Sequence, residues 1–218
     1  KDGRGHFYGH NVLGSEMASF HRSKDTYDTI VFKTNEKLYR IYSDGLLEYK
    51  YIPGSQPEDR GKAGDAFLNA FKFINPIEKY MVSGAELYLS GMREVSEGVF
   101  EFTFDYMVRE MPVVINLNTR GNDAAAVKNA IMIRADGRRV LECRWLFKDF
   151  KFNNRAEYYN VFLEDMRSDF NLSTLEVDDM YFSFVVKEDT GTNVGPSLVV
   201  EDHSGDILTV PMHVREEG

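Results

Sequence analysis

Five histidines, one cysteine and a scatter of strand carboxylates are the residues of this chain best equipped for chemistry. His6 and His10 have the i, i+4 spacing that would aim two imidazoles at one ion from a helix. Gly3, Gly5 and Gly9 around them disfavour a helix, and a zinc site needs three or four ligands. His21, His203 and His213 lie far off in sequence, so the pair reads as part of a flexible lead-in. Glu86, Glu101, Asp105 and Glu110 offer carboxylates for acid–base work, but that chemistry needs two groups at a set separation in a cleft. They fall on outward strand positions or strand ends, so a solvated sheet face is expected. Asp178-Asp179 and Glu188-Asp189 lack the D-x-D-x-D-G spacing of a calcium loop and its distal glutamate; they read as helix-flanking and turn residues.

Cys143 alternates with Leu141 and Trp145, which points to a buried, inert thiol. The chain has no G-x-S-x-G elbow, P-loop or G-x-G-x-x-G, and Gly3-Arg4-Gly5 lacks the strand that must precede a dinucleotide fingerprint. Asn171-Leu172-Ser173 matches a glycosylation acceptor, a three-residue pattern that arises by chance. The expectation is a protein that is not an enzyme, with no catalytic residues, no cofactor, no metal and an unassigned partner surface. Tyr39, Tyr42, Tyr49, Tyr51, Tyr88 and Tyr181 sit in strand-like stretches, where tyrosine is favoured on half-buried faces; some suit a protein-binding surface.

The elements that must position these residues follow from periodicity. Residues 1–28 form a loose leader, with a short helix expected around Ser15–Phe20. Thr29–Thr34, Leu38–Ser43 and Leu46–Ile52 read as strands, the last two joined at Asp44-Gly45, a strong hairpin signal. Asp65 is placed to cap a helix whose stripe is Phe67, Ala70, Phe71 and Ile74 and whose end is Asn75-Pro76. Glu86–Arg93 is a strand. Phe100, Phe102, Phe104, Tyr106 and Val108 alternate with polar residues as a half-buried antiparallel strand does. Val113–Leu117, the hairpin Ile131–Arg134 with Val140–Phe147, a second helix over Arg155–Met166, and strands Met180–Lys187, Ser197–Glu201 and Ile207–Met212 complete the reading.

The chain has 218 residues, 43% of them hydrophobic, enough for one large or two small domains. Its net charge is −9, and without a basic block it is a poor binder of nucleic acid or anionic membranes. One cysteine excludes an internal disulfide. No apolar run approaches the ~18 residues that span a bilayer. Lys1 rather than Met at the start suggests a processed or trimmed chain, which leaves room for an N-terminal signal or anchor ahead of it.

Leu47-Glu48-Tyr49-Lys50-Tyr51 matches Leu141-Glu142-Cys143-Arg144-Trp145 in character, each position moved by 94. Leu87-Tyr88-Leu89-Ser90 similarly matches Met180-Tyr181-Phe182-Ser183, and Pro112-Val113 matches Pro211-Met212. The expected fold is therefore α+β, with two pseudo-repeated units over 29–117 and 118–218. Each would be an antiparallel sheet with one helix packed across it, in the order hairpin, helix, three strands, and the two could fuse into one pseudo-symmetric domain.

Asp44-Gly45-Leu46-Leu47-Glu48-Tyr49 with Leu87-Tyr88-Leu89-Ser90-Gly91, and Asp178-Asp179-Met180-Tyr181-Phe182-Ser183 with Ser204-Gly205 and Val210-Pro211, carry a resemblance. In that order they are similar to the YycH and YycI proteins, with PepSY-like repeats, over residues 27–214. Phe182-Ser183-Phe184 and Pro196-Ser197-Leu198 depart from the Leu-Gly-Tyr and Pro-Ala-Trp of that family. The resemblance implies an extracytoplasmic regulator of a two-component histidine kinase in Gram-positive bacteria, anchored by an N-terminal transmembrane helix ahead of Lys1. Its partner would be the kinase sensor region or a sister regulator, and no catalytic residues come with it. The alternatives are a secreted PepSY-type domain that inhibits a protease or binds cell-wall material, and a carrier of a small molecule or lipid.

Overall fold

A computed structural model describes residues 21–24, 29–43, 45–52, 61–81, 84–115, 128–151, 159–160, 177–186, 195–203 and 207–214. Its elements are β1 (His21–Lys24), β2 (Ile30–Lys33), β3 (Lys37–Ile41), β4 (Leu46–Tyr51), α1 (Ala63–Met81), β5 (Glu86–Ser96), β6 (Val99–Val108), β7 (Met111–Ile115), β8 (Ile131–Ala135), β9 (Val140–Leu146), β10 (Tyr159–Asn160), β11 (Val177–Val186), β12 (Pro196–Asp202), β13 (Ile207–Pro211) and β14 (His213–Val214). The compact units are Lys1–Asp105 with Asn129–Lys151, and Tyr106–Lys128 with Phe152–Gly218. A boundary at 117/118 does not separate them. The leader and its expected helix lie almost wholly outside the described residues, β1 being the exception.

In the first unit the strands run β1-β2-β3-β4-β9-β8-β6, with β5 beside β6. The expected fold of two hairpin–helix units is overturned here. The hairpin β8–β9, expected to open a second unit, instead pairs antiparallel with β4: Leu47 faces Trp145, Glu48 faces Arg144, Tyr49 faces Cys143 and Lys50 faces Glu142. These are the two segments that resemble each other in sequence. Tyr49 lies opposite its own counterpart Cys143, so the two hairpins are related by a local pseudo-twofold between those residues. Both strands lie inside the sheet, with one side under apolar cover and the other charged. The same environment selects the same alternation, so the likeness describes two neighbouring strands rather than two domains.

α1 covers the apolar side, packing on β8 and β9. Its buried stripe is Ala66, Ala70, Ile74 and Ile77; the two alanines have small side chains that allow close approach of helix to sheet. Phe67 meets Phe102 of β6 edge-on, with ring centroids 5.5 Å apart. On the other flank Phe73 meets Tyr49 at 5.0 Å and Tyr39 at 6.5 Å. Phe71, expected on the stripe, is 49% exposed. Asn75-Pro76 does not end the helix, which runs on to Met81 with Pro76 inside it. Burial of Ile74 and Ile77 on either side holds that stretch down, although proline removes one ladder bond. The helix also begins earlier than expected: the Asp65 and Ala66 amides both donate to the Lys62 carbonyl. Asp65 therefore sits in the first turn, where its charge suits the helix dipole.

The second unit is a mixed sheet, not an antiparallel one. The end of β6 turns through Arg109 and Glu110, both at positive φ (50° and 64°), into β7, with Tyr106 facing Val113. β7 then pairs parallel with β11, Phe184 facing Val113 and Val186 facing Ile115. Ser183, which is buried, stitches this pair: its hydroxyl donates to the Pro112 carbonyl at 2.8 Å and accepts from the Val114 amide at 3.2 Å. β11, β12 and β13 follow as an antiparallel meander around Leu198, Val200 and Val210. Where the helix over Arg155–Met166 was expected, Tyr159–Asn160 is instead strand β10, paired with β14; the rest of that span lies outside the described residues.

Candidate functional site

Three surfaces of the first unit carry side chains that can act. The first is the sheet face opposite α1. Strict alternation sends Glu101 (β6), Arg134 (β8), Glu142 (β9) and Lys50 (β4) to that face, and register aligns them in one row. A parallel row holds Arg144, Glu48 and Arg40. Opposite charges alternate across the strands, the arrangement that stabilises cross-strand pairs. Arg134 Nε donates to Glu101 at 2.8 Å, its Nη1 reaches Glu142 at 3.2 Å, and Arg93 of β5 holds Glu101 from the other side at 2.5 Å. Glu48 accepts from the Tyr42 hydroxyl at 2.7 Å and lies 3.4 Å from Arg144.

Glu101 is thus no solvated carboxylate; its side chain is 6% exposed. Burial alone pushes its carboxyl up. The hydrogen bonds and charges of Arg134 and Arg93 more than offset this and hold it below the usual glutamate range. Asp105 is also buried, accepting from the Asn129 amide group and the Ala130 backbone at 2.9 Å each. Burial raises the Tyr88 hydroxyl, and the charge of Asp105 adds to the effect. Both acids, expected on a solvated face, are buried, and each accepts hydrogen bonds from neighbouring donors as buried polar groups must.

The second surface is β5. It pairs with β6 on one side, and among the described residues nothing pairs with its other side. Leu89, Met92 and Val95 are 45%, 58% and 39% exposed along it. A long, open edge that exposes apolar side chains is a template for another strand.

The third surface is a groove of about 440 Å³ between β3, β4, α1 and the β8–β9 turn. Tyr39, Tyr49, Tyr51 and Phe73 line it together with Lys37, Lys72, Arg138 and Arg139. Arg139 lies over the Tyr51 ring, 4.6 Å from its centroid, and donates to a tyrosine hydroxyl, that of Tyr51 itself.

The other residues singled out in the sequence are dispersed. Glu86 and Glu110 are exposed, on β5 and on the β6–β7 turn. His21 is exposed on β1. His203 Nδ1 lies 2.5 Å from Asp178 at an exposed position. His213 is on β14. Asp178 and Asp179 lie within strand β11. Among the described residues no three His, Cys, Asp or Glu gather closely enough to hold a metal ion. Cys143 is fully buried, and burial, with Glu142 beside it, pushes its thiol far up. His6, His10, Glu188-Asp189 and Asn171–Ser173 lie outside the described residues. Sequence reasoning missed the groove: Phe73 is off the expected helical stripe, and Arg138 and Arg139, between the strands of the second hairpin, were assigned no role. The available signal was that the tyrosines of β3 and β4 share one side of their strands.

No family model matches the chain, and no curated protein matches it. Among solved structures it is similar to the Bacillus megaterium YpeB C-terminal domain, at 11% identity and a TM-score of 0.38 over 100% of this chain and 98% of that one. Likeness at that level establishes no family.

Proposed function

We propose that this chain is a non-enzymatic regulatory ectodomain that binds an extended segment of a partner protein along β5. The observation that carries the reading is the open edge of β5 with its exposed Leu89, Met92 and Val95. Eleven strand residues span roughly 36 Å at about 3.3 Å each. An added strand gains ladder hydrogen bonds worth about 0.5–1.5 kcal/mol apiece, and its side chains meet Leu89 and Val95 on one face of the sheet and Met92 on the other. Arg93 does not guard the edge, since it is drawn onto Glu101. The partner in this reading is a membrane histidine kinase or its sister regulator, outside the cytoplasmic membrane, and the chain is held there by a helix preceding Lys1.

The test is site-specific photo-crosslinking in Gram-positive cells that produce the protein, with the crosslinker at position 92 on β5 and a control at position 33 on β2. Capture of a sensor kinase or sister regulator from position 92, lost with Leu89→Glu, is the expected result. Capture of a protease instead overturns the kinase reading. Equal capture from both positions, or none from position 92, overturns the role of β5.

A further inference from the structure

We propose that the aromatic groove of the first unit binds a small anionic ligand carrying a planar ring. Its walls combine the two features such a molecule needs. One is an aromatic floor: Tyr51 and Phe73 are half-buried at its surface, backed by the buried Tyr39 and Tyr49, with the Tyr39 and Phe73 rings within 4° of parallel and Tyr49 tilted against both. The other is charge. Among the described residues, Lys37, Lys72, Arg138 and Arg139 line it with a single acid, Glu36, on a chain whose net charge is −9. The groove therefore runs against the charge of the whole molecule, and cations beside aromatic faces favour an anion that also stacks. Lys72 and Arg138 are exposed, and neither makes an ion pair among the described residues.

The cationic rim is built in advance. Asp136 is buried, and its Oδ1 accepts from the Arg138 and Arg139 amides at 2.8 and 2.9 Å. Its carbonyl accepts from the side chain of Asn69 on α1 at 3.1 Å. At the entry to α1, a Cβ on Gly61 would stand 2.9 Å from the Gly137 Cα, so backbone meets backbone there. The turn bearing both arginines is thereby pinned to the helix bearing Lys72 and Phe73, which lowers the ordering cost of binding. A volume of about 440 Å³ lies within the range of small-molecule sites, about 300–1,000 Å³.

Amide NMR titrations of the full chain with phenyl phosphate, inorganic phosphate and phenol test the inference. Phenyl phosphate is expected to shift amides of β3, β4, α1 and the β8–β9 turn, and to bind at least tenfold more tightly than either fragment. Lys72→Gln with Arg138→Gln, both surface changes, should weaken it at least tenfold, whereas Lys72→Arg with Arg138→Lys should retain it. Equal binding of inorganic phosphate, shifts centred elsewhere, or indifference to the paired glutamine substitution would each overturn the assignment.

Discussion

Replacing Glu101 with glutamine tests whether the charged sheet face stabilises the first unit. Glu101 is 6% exposed and holds two guanidiniums, Arg93 at 70% and Arg134 at 38% exposure. The Arg93 pair reaches into solvent and contributes about 0–1 kcal/mol. The Arg134 bond is half sheltered and charge-assisted, and contributes about 1–2 kcal/mol. Both arginines regain water when the charge is removed, so the cost stays below the roughly 3–5 kcal/mol of orphaning a fully buried charge. Glu101→Gln should therefore lower stability by about 2 kcal/mol at pH 7. The folded carboxyl titrates below its ordinary value of 4.5. The stabilisation is complete above that value and is lost as pH falls through the folded pKa, so the difference between the two proteins should shrink towards pH 2.5. Urea unfolding followed by the fluorescence of Trp145, the single tryptophan and fully buried in the first unit, reads this directly. A loss under about 0.5 kcal/mol at pH 7, or one that persists undiminished at pH 2.5, would refute the reasoning.

Two further outcomes follow from the same unit. Cys143 is buried and its thiol is pushed far up, so Ellman's reagent should leave native protein unlabelled and react with one thiol once urea unfolds it; rapid native labelling contradicts the packing of β9. Gly45 stands at φ +91°, and a Cβ there would lie 2.9 Å from the Phe147 carbonyl oxygen. Gly45→Ala should cost about 1–3 kcal/mol in thermal or urea unfolding, and an unchanged midpoint would contradict the turn geometry.

Local pattern was legible where one residue's environment depends on its own strand. The alternation from Phe100 to Val108 identified β6 and its covered face, and the Asp44-Gly45 turn identified the β3–β4 hairpin, because pleat and turn geometry are encoded within a few residues. The position of Cys143 between Leu141 and Trp145 likewise announced a buried thiol. Pro76 misled, since a breaker's local cost is small beside the burial of Ile74 and Ile77 around it.

Pairing between distant strands was not legible, because the same alternation fits many neighbours. Tyr49 and Cys143 carried matching patterns, yet nothing in either segment says whether they repeat in separate sheets or face each other in one. Hydrogen bonding between β4 and β9 decided that. It converted two expected repeat units into adjacent strands, and it set Lys50 beside Glu142, extending the row of Glu101, Arg134 and Glu142 that the β6–β8 and β8–β9 pairings form. The groove arose the same way: Tyr39, Phe73 and Arg139 come from three elements, and only packing of α1 against the β8–β9 turn brings rings and cations together. Residue types and their alternation belong to the sequence, whereas which side chains share a surface is settled by contacts between residues far apart in the chain.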